Sequence, residues 1–102
     1  MYKIKYLDAA LLDIIDIAVY ITNELNNPTA ADRLMDKITS AANKLCDFPH
    51  INPVYHPVEK LDHEYRKLFV KNYIVFYFID ETDKVVFIAR VIYGRRDYEK
   101  LL

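Results

Sequence analysis

Arg95 and Arg96 directly follow Gly94, the chain's single glycine, where the apolar run VIY closes. Paired guanidiniums suit one task well: holding a phosphate or carboxylate through charge-assisted hydrogen bonds. The plainer reading is a solvated strand end, with Asp97 and Glu99 as neighbouring counter-charges. Other cations gather in the same half of the chain. Residues 1–50 hold five Lys/Arg against seven Asp/Glu, and residues 51–102 hold nine against eight. Lys60, Arg66, Lys67, Lys71 and Arg90 make up much of that second set. Arg66 and Lys67 are adjacent in a strand-like run, so they point to opposite faces and only one can serve a given groove. Arg90 alternates with Val86, Ile88 and Ile92, which reads as a snorkelling side chain or a partner of Glu64.

Acid–base chemistry has candidates too. Imidazoles as a class titrate near neutrality, so His56 or His63 can act as acid or base, while surface placement is the plainer reading. The spacing of His50, His56 and His63 is not that of a metal site. Tyr65, Tyr73, Tyr77 and Tyr93 can stack on bases, yet in so aromatic a sheet they read first as core. Tyr98, past the last strand, is the tyrosine least explained by packing. Asp8, Asp13 and Asp16 read as a solvated helix face and not as a carboxylate dyad. Cys46 reads as a small core residue.

These residues need elements to position them. Tyr2-Lys-Ile-Lys-Tyr6 alternates and reads as a short strand with Tyr2, Ile4 and Tyr6 on one face. Leu7 and Asp8 open a helix that Asp8 can cap. Its apolar stripe is Leu11, Ile14, Ile15, Ala18, Ile21 and Leu25. Asn26-Asn27-Pro28 ends it, and Asn27 with Pro28 starts a second helix. The second stripe is Ala31, Leu34, Met35, Ile38, Ala42 and Leu45, ending before Pro49. So short a connection makes the helices an antiparallel hairpin. Residues 47–61 contain three prolines and read as a long loop, a kind of segment that is often functional or mobile. The period then becomes two: strand Tyr65–Lys71, turn Lys71-Asn72, strand Tyr73–Ile79, polar turn Asp80–Lys84 and strand Val85–Tyr93. The run YIVFYFI carries no charged residue and reads as a central strand buried on both faces. The fold expected is α+β: an N-terminal strand and an antiparallel two-helix hairpin packed on an antiparallel β-meander, in the order β-α-α-β-β-β.

Length and composition agree. A chain of 102 residues, 53% hydrophobic and 28% charged, is expected to form one domain over 1–102 with one real core. No run approaches the ~18 apolar residues of a membrane span. The acidic turn of the N-terminus is unlike a signal peptide. With a single cysteine no internal disulfide is available, so a cytoplasmic protein with no membrane contact is expected. A net charge of −1 argues against binding nucleic acid by bulk charge.

The pattern YRKLFVKNYIVFYFIDETDKVVFIARVIYGRRDYEKLL, with the earlier DAALLDIIDIAVYI, NNPTAADRLMDKI and KLCDFPHINP, resembles the RelE/ParE superfamily of bacterial toxins over essentially the whole chain. Its most specific piece is YIVFYFIDETDKVVFIARVIYGRRD. The resemblance implies a small toxin of a type II toxin–antitoxin, or plasmid-stabilisation, module, without cofactor or metal. Its principal partner would be a cognate antitoxin laid over the helical hairpin and sheet edge, which predicts an exposed apolar patch on the isolated chain.

Two activities occur in such toxins. RelE-like members are ribosome-dependent mRNA endonucleases; ParE-like members inhibit DNA gyrase, and the shared fold does not choose. An endonuclease reading would use Arg66 or Lys67, Arg96 and Tyr98. Arg96 falls on the arginine that RelE-like members keep after the last strand. Ile74, however, stands where such a nuclease has arginine, and losing one preorganised cation typically costs about 3–4 kcal/mol of transition-state stabilisation. Tyr98 comes sooner after Arg96 than the usual tyrosine, and Tyr93 stands where many ParE-like members have histidine. The near-neutral net charge and Ile74 tip the reading to the ParE-like side, with Arg90, Tyr93, Arg95 and Arg96 as antitoxin- or target-binding residues. A non-toxic binding module that retains the fold is a third reading.

Overall fold

The computed structural model describes every residue except Asp97, and at Glu99 the backbone only. Strand β1 (Lys3–Tyr6) leads into helix α1 (Asp8–Val19), which widens into a π-helical turn at Tyr20–Glu24. Helix α2 (Pro28–Asn43) returns and closes in a 3₁₀ turn at Lys44–Cys46. Strands β2 (Arg66–Val70), β3 (Tyr73–Asp80) and β4 (Val85–Tyr93) follow, and the chain finishes in a 3₁₀ turn, Tyr98–Lys100. The sheet order is β1-β4-β3-β2. β2, β3 and β4 form the expected antiparallel meander, and β1 adds to β4 in parallel, so the sheet is mixed.

Helix α2 follows its sequence. The Asn27 side chain accepts from the Ala30 N–H at 3.0 Å, with Pro28 in the first helical position. Ala31, Leu34, Ile38, Ala42 and Leu45 are buried as the stripe requires. Helix α1 differs in two ways. Leu7 takes the N-cap position and makes no side-chain cap bond; Asp8 is the first helical residue, where its charge suits the helix dipole. The buried side of α1 centres on Ala10, with Ile14, Ile17 and the following Ile21, whereas Leu11, Ile15 and Leu25 are exposed. The helix carries apolar residues almost all round, so periodicity alone could not tell its inner side from its outer one.

The sheet buries both faces. On the helix side, Val75, Tyr77, Val86, Ile88 and Val91 meet the hairpin. On the other, Ile74, Phe76, Ala89 and Ile92 are covered by Tyr55, Tyr65, Leu61, Tyr98, Leu101 and Leu102. One register shift decides which residues go where. Phe76 pairs with Arg90 but Tyr77 pairs with Ile88, so β4 carries an extra residue. That bulge reverses the alternation beyond it. Ile92, expected beside Ile88, lies on the opposite face, and Val91 takes its place against the helices.

The loop over 47–61 is pinned rather than loose. Val54 bridges to Arg66; Tyr55 N–H donates to Tyr65 O at 2.7 Å and Lys67 N–H to Pro53 O at 3.0 Å. The loop thereby covers the outer edge of β2, which would otherwise expose unpaired backbone groups.

Candidate functional site

Between the hairpin and the β2–β3 turn lies a cleft of about 1090 Å³. Its floor is apolar: Ile17, Ile21, Leu25, Leu34 and Val91. Its rim carries Arg33 and Lys37 from α2, Lys71 from the turn and Arg96 from beyond β4, with Tyr20, Tyr73 and Tyr93 between them. Among the described residues none of those four cations has an ion-pair partner. Asp16 is on the rim as well, and Asp13 lies deeper.

Local structure explains the placement. Lys71 sits at φ 55°, the left-handed turn residue that swings β2 back into β3. Gly94 N–H donates to Asn72 O at 2.8 Å, and a Cβ on Gly94 would lie 3.2 Å from that oxygen. This close approach holds the Arg96 segment beside the turn. Arg33 and Lys37 are one helical turn apart on the side of α2 away from Ala31 and Ile38. Tyr73 and Tyr93 meet edge to face at 5.7 Å between centroids. Burial raises the Tyr73 hydroxyl pKa, and the neighbouring Tyr93 and Tyr20 add to the rise, so Tyr73 stays a neutral donor at physiological pH.

Arg90 holds the floor. Its Nε and Nη2 donate to the Asp13 carboxylate at 2.7 and 2.9 Å, and its Nη1 donates to Leu101 O at 2.7 Å. Asp13 Oδ2 also accepts from the Val91 N–H at 2.9 Å, an amide just past the bulge. Asp13 is therefore no solvated acid, and it, not Glu64, partners Arg90. The Asp13 hydrogen bonds raise the Arg90 pKa above its ordinary value.

The residues suited to RNA cleavage do not converge. Arg66 Nη1 donates to Asn52 O at 2.7 Å and to His50 O at 3.2 Å, in a separate small cleft with His63, Glu64 and Glu81. Lys67 points to the other face, 5.7 Å above both the Tyr55 and Phe69 rings. Tyr98 is packed after all: its ring lies 5.2 Å from Phe76 and 5.7 Å from Tyr55. Arg96 lines the large cleft, and Arg95 is exposed beside it. Asp97 and the Glu99 side chain, the counter-charges suggested for this pair, lie outside the described residues.

The histidines are dispersed. His50 Nε2 meets Glu81 Oε1 at 2.7 Å, and this bond, with one from Tyr2, holds the Glu81 carboxyl below its usual pKa. His63 stacks on Phe78 at 3.8 Å, and His56 is exposed. Among the described residues no three His, Cys, Asp or Glu side chains gather as a metal site. No helix among them is long and apolar enough to cross a membrane. The cleft residues that sequence reading missed are Tyr20, Arg33 and Lys37. The α2 stripe did imply that Arg33 and Lys37 share an outer side, but nothing in it showed that this side borders the β2–β3 turn.

Comparison with known proteins follows the same outline. The fold is shared with the chromosomal ParDE toxin–antitoxin system of P. aeruginosa, at 16% identity and TM-score 0.71 over 91% of this chain and 96% of that one. The RelBE2 complex of Mycobacterium tuberculosis matches at 17% identity and TM-score 0.65, over 90% and 96% of the two chains. The archaeal RelE–RelB complex of Pyrococcus horikoshii matches at 17% identity and TM-score 0.57, over 93% and 97%. A search of curated proteins found no match. The family described as the ParE toxin of the type II toxin–antitoxin system parDE matches residues 4–98, and with that span the chain belongs to the ParE toxin family.

Proposed function

We propose that this chain is the growth-inhibiting member of a toxin–antitoxin pair, neutralised by a cognate antitoxin, and that it acts by binding a protein target, DNA gyrase, and not by cutting mRNA. The observation that carries the choice of target is the dispersal of the would-be catalytic groups. Metal-free RNA cleavage needs an acid, a base and a cation converging on one phosphate. Here Arg66 is committed to two loop carbonyls, Tyr98 is wedged between aromatic rings, and Arg96 faces another cleft. Ile74, buried in β3, supplies no cation. Four rim cations and three tyrosines over an apolar floor form instead a surface suited to protein recognition. Arg96 and Tyr93 act there as binding residues, with Arg95 beside them.

Induction of the chain without antitoxin tests this reading. Growth arrest with changed plasmid supercoiling and unchanged mRNA 5′ ends is expected. New in-frame cuts within translated codons, lost in Arg96→Ala, would make the chain a ribosome-dependent nuclease. Unaffected growth would leave only a binding module.

A further inference from the structure

The outer side of α1 is unusual for a surface helix. Leu11, Ile15 and Val19, spaced one helical turn apart, are 44%, 56% and 51% exposed, and Leu12 beside them is 61% exposed. Such a ridge is about 12 Å long at 1.5 Å per residue. Its charge is one-sided. Residues 8–24 hold Asp8, Asp13, Asp16 and Glu24 and no Lys or Arg. Asp13 turns inward to Arg90 and Asp16 borders the chain's own cleft, which leaves Asp8 and Glu24, both exposed and both acidic, as the charge of the outer side. A ridge of apolar residues edged by acid is the complement of the cleft, which is an apolar trough edged by Arg33, Lys37, Lys71 and Arg96.

We propose that the free chain self-associates head to tail, with the α1 ridge of one copy seated in the cationic cleft of the next. Charge selects this pairing over the symmetric one. Two α1 ridges laid together bring acid to acid, with no Lys or Arg on residues 8–24 of either copy to offset it. Ridge against cleft pairs carboxylates with cations that have no ion-pair partner among the described residues, while both apolar surfaces leave water. An extended acidic polymer such as a nucleic acid fits the cleft less well, because it has no apolar side to set against the aliphatic floor. A head-to-tail contact does not close on itself, so assemblies lengthen with concentration. The contact occupies the cleft that the proposed function gives to the target, so the two compete for it, and sedimentation of the free chain reads the contact with no target present.

Sedimentation of the full chain tests this with two variants at exposed positions. One, Ile15→Lys, spoils the ridge; the other, Arg33→Glu with Lys37→Glu, spoils the cleft. Thermal melting checks that each is folded, and Leu12→Lys and Lys71→Asn serve as second choices, the latter because asparagine accepts the left-handed backbone at position 71. The unmodified chain is expected to grow in mass with concentration, and less so at about 0.5 M salt, where surface charges are screened. Each variant alone is expected to associate at least tenfold more weakly. Mixed together, they should form a one-to-one pair and stop there, because one intact ridge and one intact cleft remain. A wild-type chain monomeric at every concentration, a cleft variant that still self-associates, or a mixture that stays monomeric would each overturn the proposal.

Discussion

Asp13 shows how much one side chain can settle. Its carboxylate takes two bonds from Arg90 and one from the Val91 amide. That amide lies past Ile88, the last residue of β4 paired with β1, so on this edge the backbone donor needs another acceptor. Helix, bulge and chain terminus are thus fastened at one point, since Arg90 also donates to Leu101 O. The side chains of Arg90 and Asp13 are 22% and 15% exposed, so screening is partial and removing one partner strands the other. Asp13→Ala is expected to cost about 2–3 kcal/mol of stability. Arg90→Ala should cost a similar amount, and the double variant about 1–2 kcal/mol less than the two summed, because the second change removes a bond already lost. Urea titration of the four proteins measures this. Additive losses would mean that the pair is not coupled.

Among the elements, α2 and the meander were legible from sequence because their patterns have one solution. Asn27-Pro28 caps in a single register, and the stripe Ala31 to Leu45 has a polar reverse side. Helix α1 was only half legible: with leucine and isoleucine on most sides, the choice of buried side is made by the sheet it meets. The bulge in β4 was not legible at all, since RVIY alternates well either way and the shift becomes visible only in the pairing with β3. The loop before β2 was legible as a loop but not as an edge cover. Its anchors are long-range: Arg66 Nη1 on the carbonyls of His50 and Asn52, and the Tyr77 hydroxyl donating to Pro49 O at 2.8 Å while accepting from Asn52 Nδ2 at 3.1 Å. Arg66→Ala removes the donor shared by two carbonyls and is expected to cost about 1–3 kcal/mol. Hydrogen exchange should quicken at the Tyr55 and Lys67 amides, which bond between loop and strand. Unchanged exchange there would return Arg66 to the candidates for chemistry.

For the whole molecule, the tyrosines set a limit on alkaline stability. Burial raises the pKa of Tyr6, Tyr65, Tyr73 and Tyr77 above the ordinary value of 10.0. They sit in different elements: β1, the residue before β2, and both halves of β3. Tyr77 has its shift moderated by Asn52 and Arg66, which favour the charged form, yet burial outweighs them. A raised folded-state pKa means that the native chain resists losing a proton that the unfolded chain gives up near pH 10. The stabilisation is therefore complete below that value and is lost as pH climbs through the folded pKa values. Because the groups span both sheet faces, no local opening relieves all of them, and the loss falls on global unfolding. The melting temperature should hold steady from pH 7 to about 9.5 and then drop steeply. Tyr77→Phe should flatten part of that drop while lowering stability at neutral pH by about 1–2 kcal/mol, since the hydroxyl no longer meets Pro49 O. A melting curve equally steep in the variant would assign the alkaline loss to the remaining tyrosines, and a flat profile to pH 11 in the unmodified chain would contradict burial as the dominant effect.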